Sequence, residues 1–280
     1  MAISDTDRQV LRALTAAREQ HKELVELLDF YHDLYQVQFE AKANMPEPKV
    51  RDELAMRWRL EGGIPQLTFD QLGIEPGPFA RLIDQVADVL LRYNPTWEVE
   101  GKDRAAPELV ALAQATFETW DTLATHKPDS TGKPDDDSGP DYPIALAVGF
   151  ALAPHLQRTA EAILPHLDLS LWAQGYCPVC GGRPDLALFE QTKGARQLLC
   201  SRCNGLWNYQ RIGCPFCRSE EKQTYHLSED GVYRLYVCPT CNRYLKTVDL
   251  REIHRQVFPL VERLLTVGMD LAARQQGYDG

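Results

Sequence analysis

Four segments, CPVCGGRP (177–184), LLCSRCNGLW (198–207), RIGCPFC (211–217) and CPTCNRYLK (238–246), hold all eight cysteines of the 280-residue chain. The cysteines fall as four C-x-x-C pairs: Cys177/Cys180, Cys200/Cys203, Cys214/Cys217 and Cys238/Cys241. The segments between the pairs are 19, 10 and 20 residues long. A shift of 37 carries Cys177/Cys180 onto Cys214/Cys217, and a shift of 38 carries Cys200/Cys203 onto Cys238/Cys241. An internal repeat explains this spacing. Each unit is a tight turn, a hairpin-length excursion and a second tight turn, the arithmetic of two tandem four-cysteine metal sites.

The chemistry follows from the spacing. Two residues between cysteines let one turn aim both sulfurs at one point. Two turns then supply four thiolates in a tetrahedron, at about 2.3 Å from a zinc ion. Gly181 suits the left-handed backbone such turns need, and Pro178, Pro215 and Pro239 stiffen them. The four pairs can combine sequentially, as a cross-brace or nested. The matched 19- and 20-residue excursions favour the sequential pairing. Cysteines confined to one segment of a chain with no export signal argue for metal over disulfides. The ligand set suits zinc or iron equally.

Between positions 175 and 246 there are ten Lys and Arg against six Asp and Glu, a local charge of +4. The whole chain carries −10, so the remainder carries −14. Two tetrathiolate sites around divalent ions contribute −2 each, which the local excess offsets. Arg183, Arg202, Arg211, Arg218 and Arg243 beside the turns can do this balancing. The overall acidity disfavours a nucleic-acid partner. Trp207, Tyr209, Tyr233, Tyr236 and Tyr244 could stack on bases, but fit better as the filling of a thin, metal-clipped core.

Outside this segment the pattern is helical. One stripe runs through Val10, Leu14, Ala17, His21, Leu24, Leu28, Tyr31 and Tyr35, predicting a helix from 4 to about 41 with Ser4 as its cap. Further helices are expected over 50–61, 78–93, 107–125 and 142–164, the last too apolar to stand alone. The stretch DSTGKPDDDSGPD (129–141) reads as a mobile surface loop. Strands are expected at 197–199, 206–212 and 232–237, and helical spacing returns after 246. The hydrophobic run at 144–156 is 13 residues, short of the ~20 a membrane span needs. The opening MAISDTDRQ has neither a basic and apolar leader nor twin arginines, so a cytoplasmic location is expected. There is no phosphate loop, nucleophile elbow or clustered H-x-x-E. The scattered histidines, His226 included, find no vacancy in two complete sites. A non-enzyme is expected.

The four cysteine motifs, continued into a C-terminal helix ending QQGY (275–278), resemble the formate dehydrogenase accessory proteins of the FdhE type. The resemblance covers about 100 residues. It implies a cytoplasmic assembly factor that binds the catalytic subunit of a respiratory formate dehydrogenase before export. It implies two rubredoxin-like modules with iron as the metal. By position, Cys177, Cys180, Cys200 and Cys203 would bind one ion, and Cys214, Cys217, Cys238 and Cys241 the other. The expected fold class is α+β and multidomain: a helical domain (1–172), a first four-cysteine module (173–212), a second (213–248) and a C-terminal helix (249–280). Two alternatives stand beside this reading: a zinc-ribbon nucleic-acid-binding protein and an iron-based redox carrier.

Overall fold

The computed structural model describes residues 2–97, 99, 104–123, 142–221 and 224–279. The loop expected at 129–141 lies outside them. The chain divides into two compact units, Met1–Pro48 with Thr68–Thr159, and Lys49–Leu67 with Ala160–Gly280.

The first unit is helical. Helix α1 (Asp5–Gln20) starts at Ser4, whose side chain accepts from the Asp7 N–H at 3.1 Å. The single helix expected to about 41 is instead two. The chain turns at His21 through a short 3-10 segment, and α2 (Val25–Asn44) packs back on α1. Both helices turn their apolar stripes inward, so the periodicity runs across the turn without a glycine or proline to mark it. The two far ends are joined by a buried ion pair, Lys42 Nζ to Asp7 Oδ1 at 2.8 Å. The next helix, α3 (Glu53–Glu61), belongs to the second unit. Helix α4 (Pro76–Tyr93) buries Phe79, Leu82, Ile83, Val86, Val89 and Leu90, the face its sequence spacing defines. Helices α5 (Ala106–Leu123) and α6 (Tyr142–Ile163) follow, and α6 buries Ile144, Ala147, Val148, Ala151, Leu152 and Leu156 completely. Among the described residues no helix is long and apolar enough to cross a membrane.

The second unit carries the cysteines. Helix α3 (Glu53–Glu61) is capped by Asp52, which accepts from the Ala55 N–H at 2.9 Å. The segment after it donates from Gln66 and Leu67 N–H to the carbonyls of Pro178 and Val179 at 2.9 and 2.8 Å. Six strands follow: β1 (Pro184–Phe189), β2 (Arg196–Cys200), β3 (Leu206–Tyr209), β4 (Thr224–Leu227), β5 (Tyr233–Cys238) and β6 (Arg243–Asp249). Among the described residues they form one sheet in the order β3-β2-β1-β6-β5-β4. Each half of the repeat is an antiparallel three-stranded meander. The parallel pairing of β1 with β6, Leu186 opposite Lys246 through Phe189 opposite Asp249, fuses the two.

Spacing alone finds β2, β3 and β5. It misses β1, β4 and β6, and so misses the join. The sheet buries Leu186, Leu188, Leu199 and Val248 against Ile253. The C-terminal stretch forms α7 (Pro259–Leu265) and α8 (Val267–Gln275), with a break at Thr266, whose hydroxyl donates to the Glu262 carbonyl at 2.8 Å. Ala273, Met269 and Tyr278 pack on Leu235, Val237 and Tyr244.

Candidate metal centres

Each C-x-x-C turn is built alike. The residue after its second cysteine has a left-handed backbone: Gly181 (φ 75°), Asn204 (57°), Arg218 (61°) and Asn242 (56°). At Gly181, Arg218 and Asn242 the N–H donates to the carbonyl of the first cysteine at 2.9–3.0 Å, which closes the turn. Asparagine and glycine tolerate this conformation; arginine at 218 carries a steric cost of about 1 kcal/mol. Glycine at 182 answers a different need. A Cβ there would sit 2.9 Å from Cys200 Sγ and 2.7 Å from Arg202 Cδ, so a side chain would fill the space the sulfurs converge on.

The eight cysteines gather into two groups of four, Cys177, Cys180, Cys200 and Cys203, and Cys214, Cys217, Cys238 and Cys241. Within each group all four sulfurs lie within 4.8 Å of one another. Cys177 and Cys203 Sγ are 3.5 Å apart, and Cys180 and Cys200 Sγ 3.4 Å. In the second group the corresponding distances are 3.6 Å (Cys214 to Cys241) and 3.7 Å (Cys217 to Cys238). A metal–sulfur bond of about 2.3 Å sets tetrahedron edges of about 3.8 Å, so the groups are near the size a four-thiolate site requires.

The donor chemistry agrees. Burial pushes the Cys177 thiol well up, and hydrogen bonding to Cys180 and Cys200 adds to it. Hydrogen bonds with the other three sulfurs hold Cys180 well down, helped by the Arg202 charge. Hydrogen bonding to Cys177, Cys180 and Cys200 pushes Cys203 well up. In the second group burial pushes Cys214 and Cys241 up. Burial acts the same way on Cys238, but backbone N–H groups of Cys241 and Thr240 and the side chains of Cys214 and Cys217 outweigh it and bring it to about 7. Four sulfurs this close share protons because they cannot all be anionic together. A cation that replaces those protons removes the conflict. Four protein thiolates leave no open coordination position, so either group suits a structural ion or an electron carrier.

The two groups differ in exposure. All four cysteines of the first are buried. In the second, Cys214 and Cys238 are buried, Cys241 is half-buried and Cys217 is exposed. Trp207, Tyr209 and Tyr244 are buried, Tyr233 is half-buried, and the polar tips of all four are bonded. Trp207 Nε1 donates to the Gln174 carbonyl at 3.1 Å, and Tyr209 Oη to the Cys214 carbonyl at 3.2 Å. Tyr233 Oη donates to Glu262 at 2.8 Å and Tyr244 Oη to Asp270 at 2.9 Å. His226 is exposed and lies in neither group. Of the arginines beside the turns, Arg202 is buried and donates from its backbone N–H to Cys200 Sγ at 3.4 Å. Sequence reasoning overlooked Arg196. It is far in sequence from the turn it touches, yet 2% exposed and bonded to the Gly213 carbonyl next to Cys214.

Residues 176–211, the first of these halves, match the family described as "FdhE, central domain". In this segment the chain is similar to FdhE proteins. Over 113 residues it is 37% identical to an FdhE homologue of Aquifex aeolicus, covering 38% of this chain and 40% of that protein. Over 143 residues it is 36% identical to an FdhE homologue of Stutzerimonas stutzeri, covering 46% of each. The chain thus spans less than half the length of these curated FdhE relatives. The crystal structure of the FdhE protein from Pseudomonas aeruginosa has the same fold: TM-score 0.62 at 24% identity, over 99% of this chain and 94% of that one.

Proposed function

We propose that the protein is a non-catalytic accessory factor for a respiratory formate dehydrogenase. It binds the catalytic subunit of that enzyme in the cytoplasm before export. Each four-cysteine group holds one metal ion, with Cys177, Cys180, Cys200 and Cys203 as ligands of one and Cys214, Cys217, Cys238 and Cys241 as ligands of the other. The ions are zinc or iron. They hold the turns of the sheet in place.

The observation that carries this reading is the pair of complete four-sulfur groups, the first of them within the segment 176–211 that matches the FdhE central domain. Saturated four-thiolate sites leave no position for a substrate, which supports a binding role over catalysis. The test is an anaerobic pull-down of the tagged chain from its native host, with mass spectrometry of the eluate. Enrichment of a formate dehydrogenase catalytic subunit is expected, with loss of that enrichment in a Cys177→Ala/Cys180→Ala variant. An eluate of ribosomal or RNA-associated proteins without that subunit would overturn the reading in favour of a zinc ribbon on RNA.

A further inference from the structure

The two halves of the cysteine repeat supply positive charge differently. In the first, Arg202 stands between the cysteines of its own turn, 7% exposed, with Nη1 3.5 Å from the Cys180 carbonyl. The 38-residue shift that relates the halves carries Arg202 onto Thr240. The second site therefore lacks a cation at that place.

The same shift carries Arg196 onto Arg234. Arg234 is paired with Asp249 at 2.6 Å, a carboxylate it shares with Arg251. Arg196 has no such partner: among the described residues no carboxylate is paired with it. It is 2% exposed, and its Nε and Nη2 find no hydrogen-bond acceptor. Its Nη1 donates to the carbonyl of Gly213 at 3.0 Å, one residue before Cys214. The rings of Tyr209 and Tyr236 lie 6.0 and 5.6 Å from its guanidinium carbon.

A buried guanidinium cannot shed its proton, and burying it without an anion is costly. Two aromatic faces offset part of that cost. The remaining anionic group beside it is the second cysteine cluster, which with a divalent ion bound carries a net charge of −2. We infer that Arg196, contributed by the first half of the repeat, is the buried counter-cation of the second four-cysteine site and favours its metal-filled state. This rests on the metal reading above. It makes Arg196 a positioning residue that acts through charge, and it makes the second site incomplete without the first half.

The test uses the full chain loaded with zinc, as wild type, Arg196→Met and Arg196→Lys. Methionine keeps the stem without the charge; lysine keeps the charge. A chelator withdraws zinc, newly freed thiols are alkylated at intervals, and peptide mass spectrometry assigns each loss to one set of cysteines. Arg196→Met is expected to speed release from the second set about tenfold or more while the first set stays within about twofold. Arg196→Lys is expected to stay within about threefold of wild type at both. Unchanged release from the second set in Arg196→Met overturns the inference. Equal acceleration at both sets, or a lysine variant as fast as methionine, assigns the effect to packing and overturns it too. Should Arg196→Met not fold, Arg196→Gln, which keeps a donor for Gly213, carries the same expectations. A wild-type chain that retains no zinc at either set would instead overturn the metal reading itself.

Discussion

Replacing Cys177 with alanine removes one of four sulfurs from a group with no exposed member. The Cys177 sulfur is fully buried and 3.5 Å from Cys203. Three thiolates then remain in a space sized for four, and solvent cannot easily reach in to supply the missing ligand. Four-cysteine ions in small modules contribute on the order of 10 kcal/mol or more. A whole domain is stable by about 5–15 kcal/mol, so losing most of that contribution should open the first half of the sheet. The opening should stay local, because β1 remains paired with β6 and packed on Val248 and Ile253. The assay combines metal content of the anaerobically purified chain with hydrogen exchange. Metal should fall from two ions to one. Exchange protection at 176–183 and 198–207 should fall by about 100-fold, or about 3 kcal/mol, while α4 and α6 keep theirs. The matching Cys217→Ala change, at an exposed position, should cost one ion with a smaller loss of protection, confined to the second half. A Cys177→Ala chain that keeps two ions and its protection would refute the ligand assignment.

Other outcomes follow from single contacts. A Cβ on Gly175 would lie 1.8 Å from the Pro215 carbonyl oxygen, so Gly175→Ala should destabilise the second unit by about 3 kcal/mol in urea unfolding followed by tryptophan fluorescence; a loss below about 0.5 kcal/mol would contradict that close approach. Asp7→Ala takes the carboxylate away from the buried Lys42 ammonium, and should cost about 3–5 kcal/mol by the same measurement, with Asp7→Ala/Lys42→Met recovering most of it. Burial pulls His155 down to about 4, against its bond to the Leu72 carbonyl. The folded imidazole thus stays neutral while the unfolded one protonates near 6.5. Its contribution is present above that pH and is lost as pH falls toward 4. Between pH 7 and pH 5 the wild type should lose about 1–2 kcal/mol more than His155→Phe; parallel losses would show that His155 is not the titrating group.

Much of this architecture is legible in the sequence because cysteine spacing is a rigid code. A C-x-x-C turn fixes two sulfurs locally, and the 37- and 38-residue shifts count the units. Helices α3 to α6 are legible because each buries one face. The α1–α2 hairpin is not, since two helices facing one core continue the same period across His21. Strand β4 is exposed along its whole length and so has no apolar alternation to read. Strands β1 and β6 fail for the opposite reason. Of thirteen positions in the two, all but Asp185 and Arg243 are buried, and a strand buried on both faces does not alternate. The attachment of 49–67 to the cysteine unit rests on backbone hydrogen bonds to Pro178 and Val179, which leave no trace in side-chain spacing.

That missing information is what turns two repeats into one body. A tandem repeat read from spacing is two beads, each with its own four sulfurs and its own charge balance. The parallel β1–β6 pair changes the physics, because it places the first half where its residues can serve the second. Lys246 illustrates the effect on the sheet's other partners: 3% exposed in β6, it pairs with Asp270 of α8 at 2.6 Å and donates to the Arg263 carbonyl of α7 at 3.1 Å. The tail is tied in by backbone as well, with Asp279 N–H donating to the Asn242 carbonyl at 2.9 Å and Tyr244 N–H to that of Asp279 at 3.0 Å. The turn that carries Cys238 and Cys241 is therefore braced by the chain's last residues, and the turn that carries Cys214 by Arg196 and Tyr209 of the first half. Both sites are held from outside their own repeat, the enclosed one by the Gln66 and Leu67 N–H groups on Pro178 and Val179 and the more exposed one by these braces. Exposure to solvent screens charge and admits competing ligands, so a four-thiolate site with an exposed cysteine needs such outside support more than an enclosed one does.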